Sequence, residues 1–550
     1  MLLNGAQILV ESLVEQGVET VFGYPGGSVL DIYDQLYKNS HRINHVISAH
    51  EQGAAHAADG YARVSGRTGV VIATSGPGAT NLVTGIANAY LDSVPMVAIT
   101  GNVASHLLGK DSFQEVDIVG ITQPIVKHSY LVKDVKKLSQ TIKEAFIIAS
   151  TGRKGPVLID IPKSVQKDVC EYISKPVTVK QHNVAFDNDF DAALQAIKQS
   201  KKPYIYCGGG VIAAEAEAEV LELSKKLSAP IGLSMMGLTA IPADYELNLG
   251  MCGMHGKYAS SVAQSEADLV IAVGVRFSDR ATGNVDKYSE KCTIIHIDVD
   301  AAEIGKNIRK KIGLCGDVKE ILNFILPSIS SFKNEEWLAR IEENKKADKT
   351  ENDGSFTPRN IISTVQSFCD NDTVIATDVG QHQMWTVQYY QFKKSRTLLT
   401  SGGLGTMGYG LGASIGGCIA NNKKTTVLFT SDGSFGMNLN ELATAVSQKL
   451  PIFVIILNNG VLGMVRQWQN AFYEERYSQT TLNRQTDFPM LAKAFGGNGY
   501  SATTLEELSD ILRNSNNLCA PCIIDCKIDM DEKVLPMIPP GGCINDIILE

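Results

Sequence analysis

No apolar run in this 550-residue chain reaches the ~18 residues of a membrane-spanning helix; runs such as Pro451 to Leu457 stop well short, so no membrane partner is expected. Basic residues are also in short supply. Lys and Arg total 50 against 59 acidic residues, a net charge of −9, and no dense basic tract carries interleaved aromatics, which argues against nucleic acid as a partner. The start lacks a basic segment and a cleavage site. Met1 to Gly17 instead sets Leu9, Val10, Leu13 and Val14 on one helical stripe that Gly17 can end, so no targeting segment is expected. Cysteines are few for the length and scattered. Several of the eleven, such as Cys207 and Cys292, lie in strand-like runs, which favours buried reduced thiols in a cytoplasmic protein. Cys519 and Cys522 form a CxxC with no second pair and no nearby His, so neither a zinc site nor redox chemistry is expected.

What is present is alternating strand and helix. A chain of this length exceeds one hydrophobic core and suggests three or four units. In the first, at 1–170, apparent strands Gly69 to Thr74, Val94 to Thr100 and Val157 to Ile161 alternate with helical stretches such as Asn81 to Tyr90. Cys170 to Asp189 is polar, contains Pro176 and reads as a linker. The second unit, at 190–343, opens with Pro203 to Cys207 and Gly208-Gly209-Gly210 and continues through Leu269 to Gly274 and Thr293 to Asp298. Asn344 to Asp353 is charged and poor in apolar residues, and Thr373 to Thr377 leads a third unit at 355–550. The expected fold is α/β with three doubly wound parallel-sheet domains, the first and third alike.

Two polar clusters end neighbouring strand-like runs of the third unit. Thr425 to Thr430 leads into Ser431-Asp432-Gly433-Ser434, and Pro451 to Leu457 leads into Asn458-Asn459, with a helical stretch from Asn438 to Gln448 between them. Ligands of open α/β sheets bind at the carboxyl ends of strands. A carboxylate and an amide converging there suit Mg²⁺, which takes oxygen ligands and shares its shell with phosphates. Just upstream, Gly403-Leu404-Gly405-Thr406-Met407-Gly408 satisfies GxGxxG with Asp432 beyond it, the pattern of a nicotinamide dehydrogenase. Against that reading, Asp432 enters a Gly-Ser turn and has the distant Asn pair as companion.

The Asp432–Asn459 pairing resembles the diphosphate-anchoring motif of thiamine diphosphate enzymes, whose metal ligands would here be Asp432, Asn459 and the main-chain carbonyl of Val461. A second segment agrees. His50-Glu51-Gln52-Gly53-Ala54, followed by Gly60-Tyr61-Ala62-Arg63, is similar to that family's pyrimidine-binding segment. An acid at a strand-to-helix junction is otherwise readable as a helix-dipole partner. The resemblance implies that Glu51 holds the aminopyrimidine nitrogen and favours the imino form that removes the thiazolium proton. It further implies cofactor contacts from Val379, Gly380, Gln381, His382, Gly405, Gly433, Ser434 and Met464, and a bulky wedge at Met407 that keeps the cofactor bent. In such enzymes the two ends of the cofactor are held by different subunits, so a homodimer or a dimer of dimers is expected.

Over essentially the whole chain the resemblance is closest to the acetolactate (acetohydroxyacid) synthase large-subunit family. Ala73 to Asn81, Ser112-Phe113-Gln114-Glu115, Gly463 to Gln469 and Val534 to Gly542 carry it. Residue by residue, it implies a backbone donor at Gly27, cofactor and substrate contacts from Phe113 and Gln114, a substrate entrance lined by Lys163, an aromatic acceptor wall at Trp468, and a carboxylate or flavin-side contact at Arg276. Taken alone, Trp468 reads as a core aromatic and Lys163 as a solvated charge. The implied reaction decarboxylates pyruvate and adds the remaining two-carbon unit to a second pyruvate, giving 2-acetolactate, or to 2-oxobutyrate, giving 2-aceto-2-hydroxybutyrate. A small regulatory subunit is implied as a partner. FAD is implied as a structural cofactor, with dispersed ligands at Arg153, Gly208 to Gly210, Met251 to Gly256, Arg276, Asp298 and Asp317. Three positions depart from the family pattern: Ser431 for Gly, Ala104 for Pro and His106 for Arg. A pyruvate decarboxylase and an inactive cofactor-binding paralogue are the alternatives to a carboligase.

Overall fold

In the computed structural model, residues 1–174, 189–290, 292–309, 311–348, 353–515 and 519–549 are described. Most of the linker expected at 170–189 lies outside them. The stripe near the start forms helix Gly5–Glu15, fixed by a capping box between Asn4 and Gln7, with Gly17 just beyond it at φ +72°. A small antiparallel pair, Leu2–Asn4 with Val169–Glu171, closes the first unit on itself.

Three six-stranded sheets, each wholly parallel, form the body. The first holds β1 (Thr20–Tyr24), β2 (Asn44–Ile47), β3 (Gly69–Ala73), β4 (Met96–Asn102), β5 (His128–Leu131) and β6 (Pro156–Pro162), in the order β2-β1-β3-β4-β6-β5. The central sheet holds β7 (Pro203–Cys207), β8 (Ile231–Leu233), β9 (Asn248–Met251), β10 (Leu269–Val273), β11 (Thr293–Asp298) and β12 (Ile312–Cys315), in the order β9-β8-β7-β10-β11-β12. The third holds β13 (Val374–Thr377), β14 (Leu398–Leu399), β15 (Thr426–Thr430), β16 (Ile452–Asn458), β17 (Asn498–Ala502) and β18 (Cys522–Lys527), in the order β14-β13-β15-β16-β18-β17. Inner strands such as β4, β6 and β16 are buried at every position, because helices cover both faces of a parallel sheet.

The first and third sheets share one winding, as expected, and reverse direction between their first and third strands. The central sheet follows the 3-2-1-4-5-6 order of dinucleotide-binding folds, with its crevice between β7 and β10. All eleven cysteines are free; Cys207 lies buried in β7, whereas Cys292 precedes β11 and is half-buried. The charged stretch after 343 begins inside a helix, since Glu335–Ala347 runs past that boundary. Among the described residues no helix is long and apolar enough to cross a membrane.

The first and third sheets are joined by helix α1 (Glu51–Ser65) lying on helix α2 (Tyr409–Ala420). The backbones nearly touch. A Cβ at Gly416 would lie 1.8 Å from the carbonyl oxygen of Ala57, and one at Gly60 would lie 2.2 Å from that of Ala413. Within this seam Arg63 meets Asp59 at 2.6 Å and Asp92 at 2.9 Å, and the Tyr409 hydroxyl donates to Asp59 at 2.7 Å. A buried charge removed from water needs that many partners.

Candidate active site

β15 and β16 are paired neighbours, with Thr430 opposite Ile456, so the turns carrying Asp432 and Asn459 emerge side by side at the carboxyl edge. Ser431 caps the short helix Asp432–Phe435, its hydroxyl accepting the Ser434 N–H at 3.3 Å. Its φ of −127° is extended backbone, so a Cβ there causes no strain and the Ser-for-Gly departure carries no backbone cost. Burial raises the Asp432 carboxyl to about 6, with Lys527 pulling the other way, and Oδ1 is buried without a protein partner. A desolvated carboxylate oxygen with an unused lone pair is a seat for a cation. Asn459 is buried, donating to Gln381 Oε1 at 3.3 Å and accepting the N–H of the buried Val461 at 3.3 Å.

Across the crevice, Val379-Gly380-Gln381-His382 follow β13 and begin helix Gln381–Tyr389. Gly380 sits at φ +149°, and a Cβ there would come within 2.9 Å of the His382 ring, so only Gly fits. His382 is buried, desolvation pushes its imidazole down to about 3, and Nε2 has no protein partner, leaving a neutral ring nitrogen for a ligand. Gly433 and Ser434 are buried nearby, Ser434 beside the Asp378 carboxyl that receives the Gly408 N–H at 2.7 Å. Among the described residues no group of three His, Cys, Asp or Glu gathers for a metal. One acid and one amide beside a crevice fit a magnesium ion completed by a bound diphosphate, and these residues are suited to hold it.

The glycine motif behaves otherwise. Gly402 and Gly403 donate their N–H groups to Asp92 at 3.1 and 2.7 Å, Thr406 donates to Ser401 Oγ at 2.9 Å, and Gly408 donates to Asp378. A phosphate cradle needs such amides free, so the nicotinamide reading fails here. Gly405, at φ +70°, and Met407 remain facing a cleft.

In the first unit, α1 begins at Glu51, which is 9% exposed and accepts from Asn81 Nδ2 at 3.0 Å. Gly78 leaves room beside the other oxygen; a Cβ there would lie 3.1 Å from Glu51 Oε1. Gly27 and Lys163 are brought together, the ammonium donating to the Gly27 carbonyl at 2.9 Å. Phe113, 87% exposed, and Gln114, at φ +58°, ride a loop whose N–H groups at Gly109, Lys110 and Ser112 all donate to Glu115. Those bonds hold the Glu115 carboxyl below its usual range.

A cleft of about 2220 Å³ opens where the three units meet. It gathers the dispersed residues Arg153, Gly209, Arg276, Asp298 and Asp317 with Val379, Gly380, Gly405, Met407, Met464 and Trp468. Arg153 is held by Glu303 at 2.9 Å and by Ser93. Burial lifts Asp298, at the end of β11, to about 6, and Asp317 caps helix Val318–Ile325 through the Lys319 and Glu320 N–H groups. Trp468 has a buried, unpartnered Nε1, and the Arg280 guanidinium lies 5.3 Å from its ring centroid. The sequence reading singled out Arg276 and passed over Arg280, four residues on in the same stretch. Glu51, Asp432 and Asn459 do not line this cleft.

Three thiamine pyrophosphate enzyme family models match the chain: the N-terminal TPP binding domain over residues 3–121, the central domain over 190–325, and the C-terminal TPP binding domain over 378–526. The fold and the crevice thus define a thiamine diphosphate enzyme. The chain is 42% identical, over all of its length and 99% of the relative, to the acetolactate synthase large subunit of Buchnera aphidicola subsp. Schizaphis graminum. It is 41% identical to the acetolactate synthase isozyme 3 large subunit of Escherichia coli, over 100% of this chain and 99% of that one. With Lactococcus lactis acetolactate synthase large subunit the identity is 42%, over 99% and 96%. The chain belongs to the acetolactate synthase large-subunit family.

Proposed function

We propose that this chain is the catalytic subunit of a carboligase that converts two pyruvates to 2-acetolactate and CO₂, or pyruvate plus 2-oxobutyrate to 2-aceto-2-hydroxybutyrate, in branched-chain amino-acid synthesis. The observation that carries this reading is the buried, unpaired Asp432 oxygen beside Asn459, facing the His382 turn in a chain whose relatives are named for this synthase. When bound, thiamine diphosphate supplies the carbon nucleophile and the electron sink for decarboxylation.

The chain's residues do the rest. Asp432, Asn459 and the Val461 carbonyl hold Mg²⁺, while Gln381, His382, Gly433 and Ser434 line the diphosphate. Glu51, fixed by Asn81, holds a proton against the pyrimidine nitrogen, and its burial strengthens that bond. Met407 wedges the cofactor, and Gly27 offers a backbone donor near the reacting centre. Trp468 walls the acceptor pocket, with Arg276 and Arg280 as cations for a keto-acid carboxylate, Arg280 being the one stacked on the wall.

Glu51 and Asp432 of one chain serve different cofactors, so two chains pair, with Phe113, Gln114 and Lys163 reaching the neighbour's site. The exposure of Phe113 supports that pairing. Arg153, Gly209, Arg276, Asp298 and Asp317 of the central cleft would hold FAD as a structural group, in keeping with the dinucleotide-type strand order there. The units divide at 1–170, 190–347 and 355–550, the second running to the end of helix Glu335–Ala347. A small regulatory subunit and a cytoplasmic setting complete the picture.

Purified protein given pyruvate, thiamine diphosphate and Mg²⁺ should yield a product that acidification turns to acetoin. Acetaldehyde instead would make it a decarboxylase, and no product would overturn the reading. A flavin absorption band in the purified protein checks the central cleft.

A further inference from the structure

Glu441 stands out among the buried acids that this mechanism leaves unused. It lies 1% exposed at the end of the turn Leu439–Glu441 in the third unit, far in sequence from the first. Its carboxylate nevertheless crosses the seam to the start of α1. Oε1 accepts the His50 N–H at 2.9 Å, Oε2 accepts the Ala49 N–H at 3.2 Å, and the Thr444 hydroxyl donates to Oε2 at 2.6 Å. Gly53, on the first turn of α1, leaves the space: a Cβ there would lie 2.1 Å from Oε1.

The two amides differ in kind: His50 is the N-cap of α1, and its N–H is one of that helix's orphan donors, whereas Ala49 precedes the helix. Ala49 and His50 lie in the turn between β2 and α1, where the Ser48 N–H is already taken by the Gly23 carbonyl. A neutral carbonyl or amide oxygen would satisfy two backbone donors at lower desolvation cost than a carboxylate. Burial indeed raises the Glu441 carboxyl above its ordinary range, against the hydrogen bonds of Thr444, Ala49 and His50. What the charged acceptor gives in return is a grip on both residues that precede Glu51, closest at the His50 N–H.

We propose that Glu441 is a positioning residue for Glu51: a carboxylate of the third unit that clamps the two peptide N–H groups from which the catalytic acid projects. The inference rests on the assignment of Glu51 to the cofactor's pyrimidine. It gives the third unit a second task in its own chain, holding the pyrimidine-side acid while its other edge binds diphosphate.

The test uses the full-length enzyme loaded with thiamine diphosphate and Mg²⁺. Glu441→Gln keeps the shape but turns an N–H donor toward one of the two peptide donors. It should lower kcat for pyruvate by about 10²-fold with KM within about twofold, the cost of a roughly 1 Å misplacement. Backbone hydrogen exchange should rise in residues 46–54 and stay unchanged in residues 59–65. Glu441→Asp, which reaches only one donor, should fall between. Thr444→Val removes the orienting hydroxyl without touching the carboxylate and should lower kcat less; it serves where Glu441→Gln does not fold. Faster exchange at 46–54 with unchanged kcat would make Glu441 a structural cap and overturn the proposal, as would no change in either. Glu51→Gln is the reference. Full activity there would remove the role of Glu51 itself, whereas an inactive Glu51→Gln beside a fully active Glu441→Gln removes only that of Glu441.

Discussion

The third unit packs on both neighbours, but it leaves open space against only one of them. Against the first, α1 and α2 pack backbone to backbone through Gly53, Gly60, Gly412 and Gly416, with Arg63, Asp59, Asp92 and Tyr409 sealed inside. Against the central unit it shares an apolar core that takes in Leu238, Trp385 and Phe392, yet beside that core it leaves a cleft of about 2220 Å³, with bonds such as Arg396 to the Ile212 carbonyl at 3.1 Å and Gln388 to the His255 carbonyl at 2.8 Å. One seam is filled by the chain itself. The other is shaped to be filled by something else, and the difference separates a joint that sets geometry from a space that accepts a ligand.

The contrast is open to attack. The largest effect should come from the acid that the tight seam holds: Glu51→Gln should cut acetolactate formation by about 10³-fold while thiamine diphosphate still binds, measured as acetoin colour and by cofactor retention. Unchanged pyruvate consumption would mean that the seam positions nothing chemical. Next, Gly416→Val should lower the melting temperature through an overpacking cost of at least about 1–3 kcal/mol, because the neighbour it meets is the Ala57 backbone and cannot swing aside. A variant as stable as wild type would show that the seam has slack.

On the cleft side, Trp468→Leu should change the ratio of 2-oxobutyrate to pyruvate used as acceptor by about 10-fold, with melting temperature nearly unchanged, as competition assays would show. The smallest effect is set by pH. The raised Asp298 carboxyl binds its proton more tightly folded than unfolded, so its destabilising ionisation grows from about pH 4 to about pH 6 and is complete above that. Melting temperature should fall across that window, and Asp298→Asn should flatten the fall. A slope unchanged in the variant would assign it to other groups.

Much of this was legible from local pattern. The runs at Pro203 to Cys207 and Thr293 to Asp298 became strands with those ends, and Glu51 falls at the strand-to-helix junction where the sequence put it. Asp432 and Asn459 were placed at adjacent strand ends, and the paired strands there agree. Period and punctuation determine such features within a few residues. What escaped depends on distance along the chain. Glu441 reaches an amide 392 residues away, and nothing in Leu439-Asn440-Glu441 announces it. Arg280 differs from Arg276 only by which one lies over Trp468, a matter of tertiary packing. That Ser431 fits where the family pattern has Gly depends on a φ angle that residue identity alone does not set.

The loop from Gly402 to Gly408 has a wider meaning for how glycine patterns are used to guess at nucleotide sites. The N–H groups of Gly402, Gly403, Thr406 and Gly408 are already engaged by Asp92, Ser401 and Asp378, so the same spacing that elsewhere welcomes an anion here behaves as a buckle between two lobes. Whether such a signature marks a binding loop is therefore a question of hydrogen supply, answered by counting which donors the protein has left unspent.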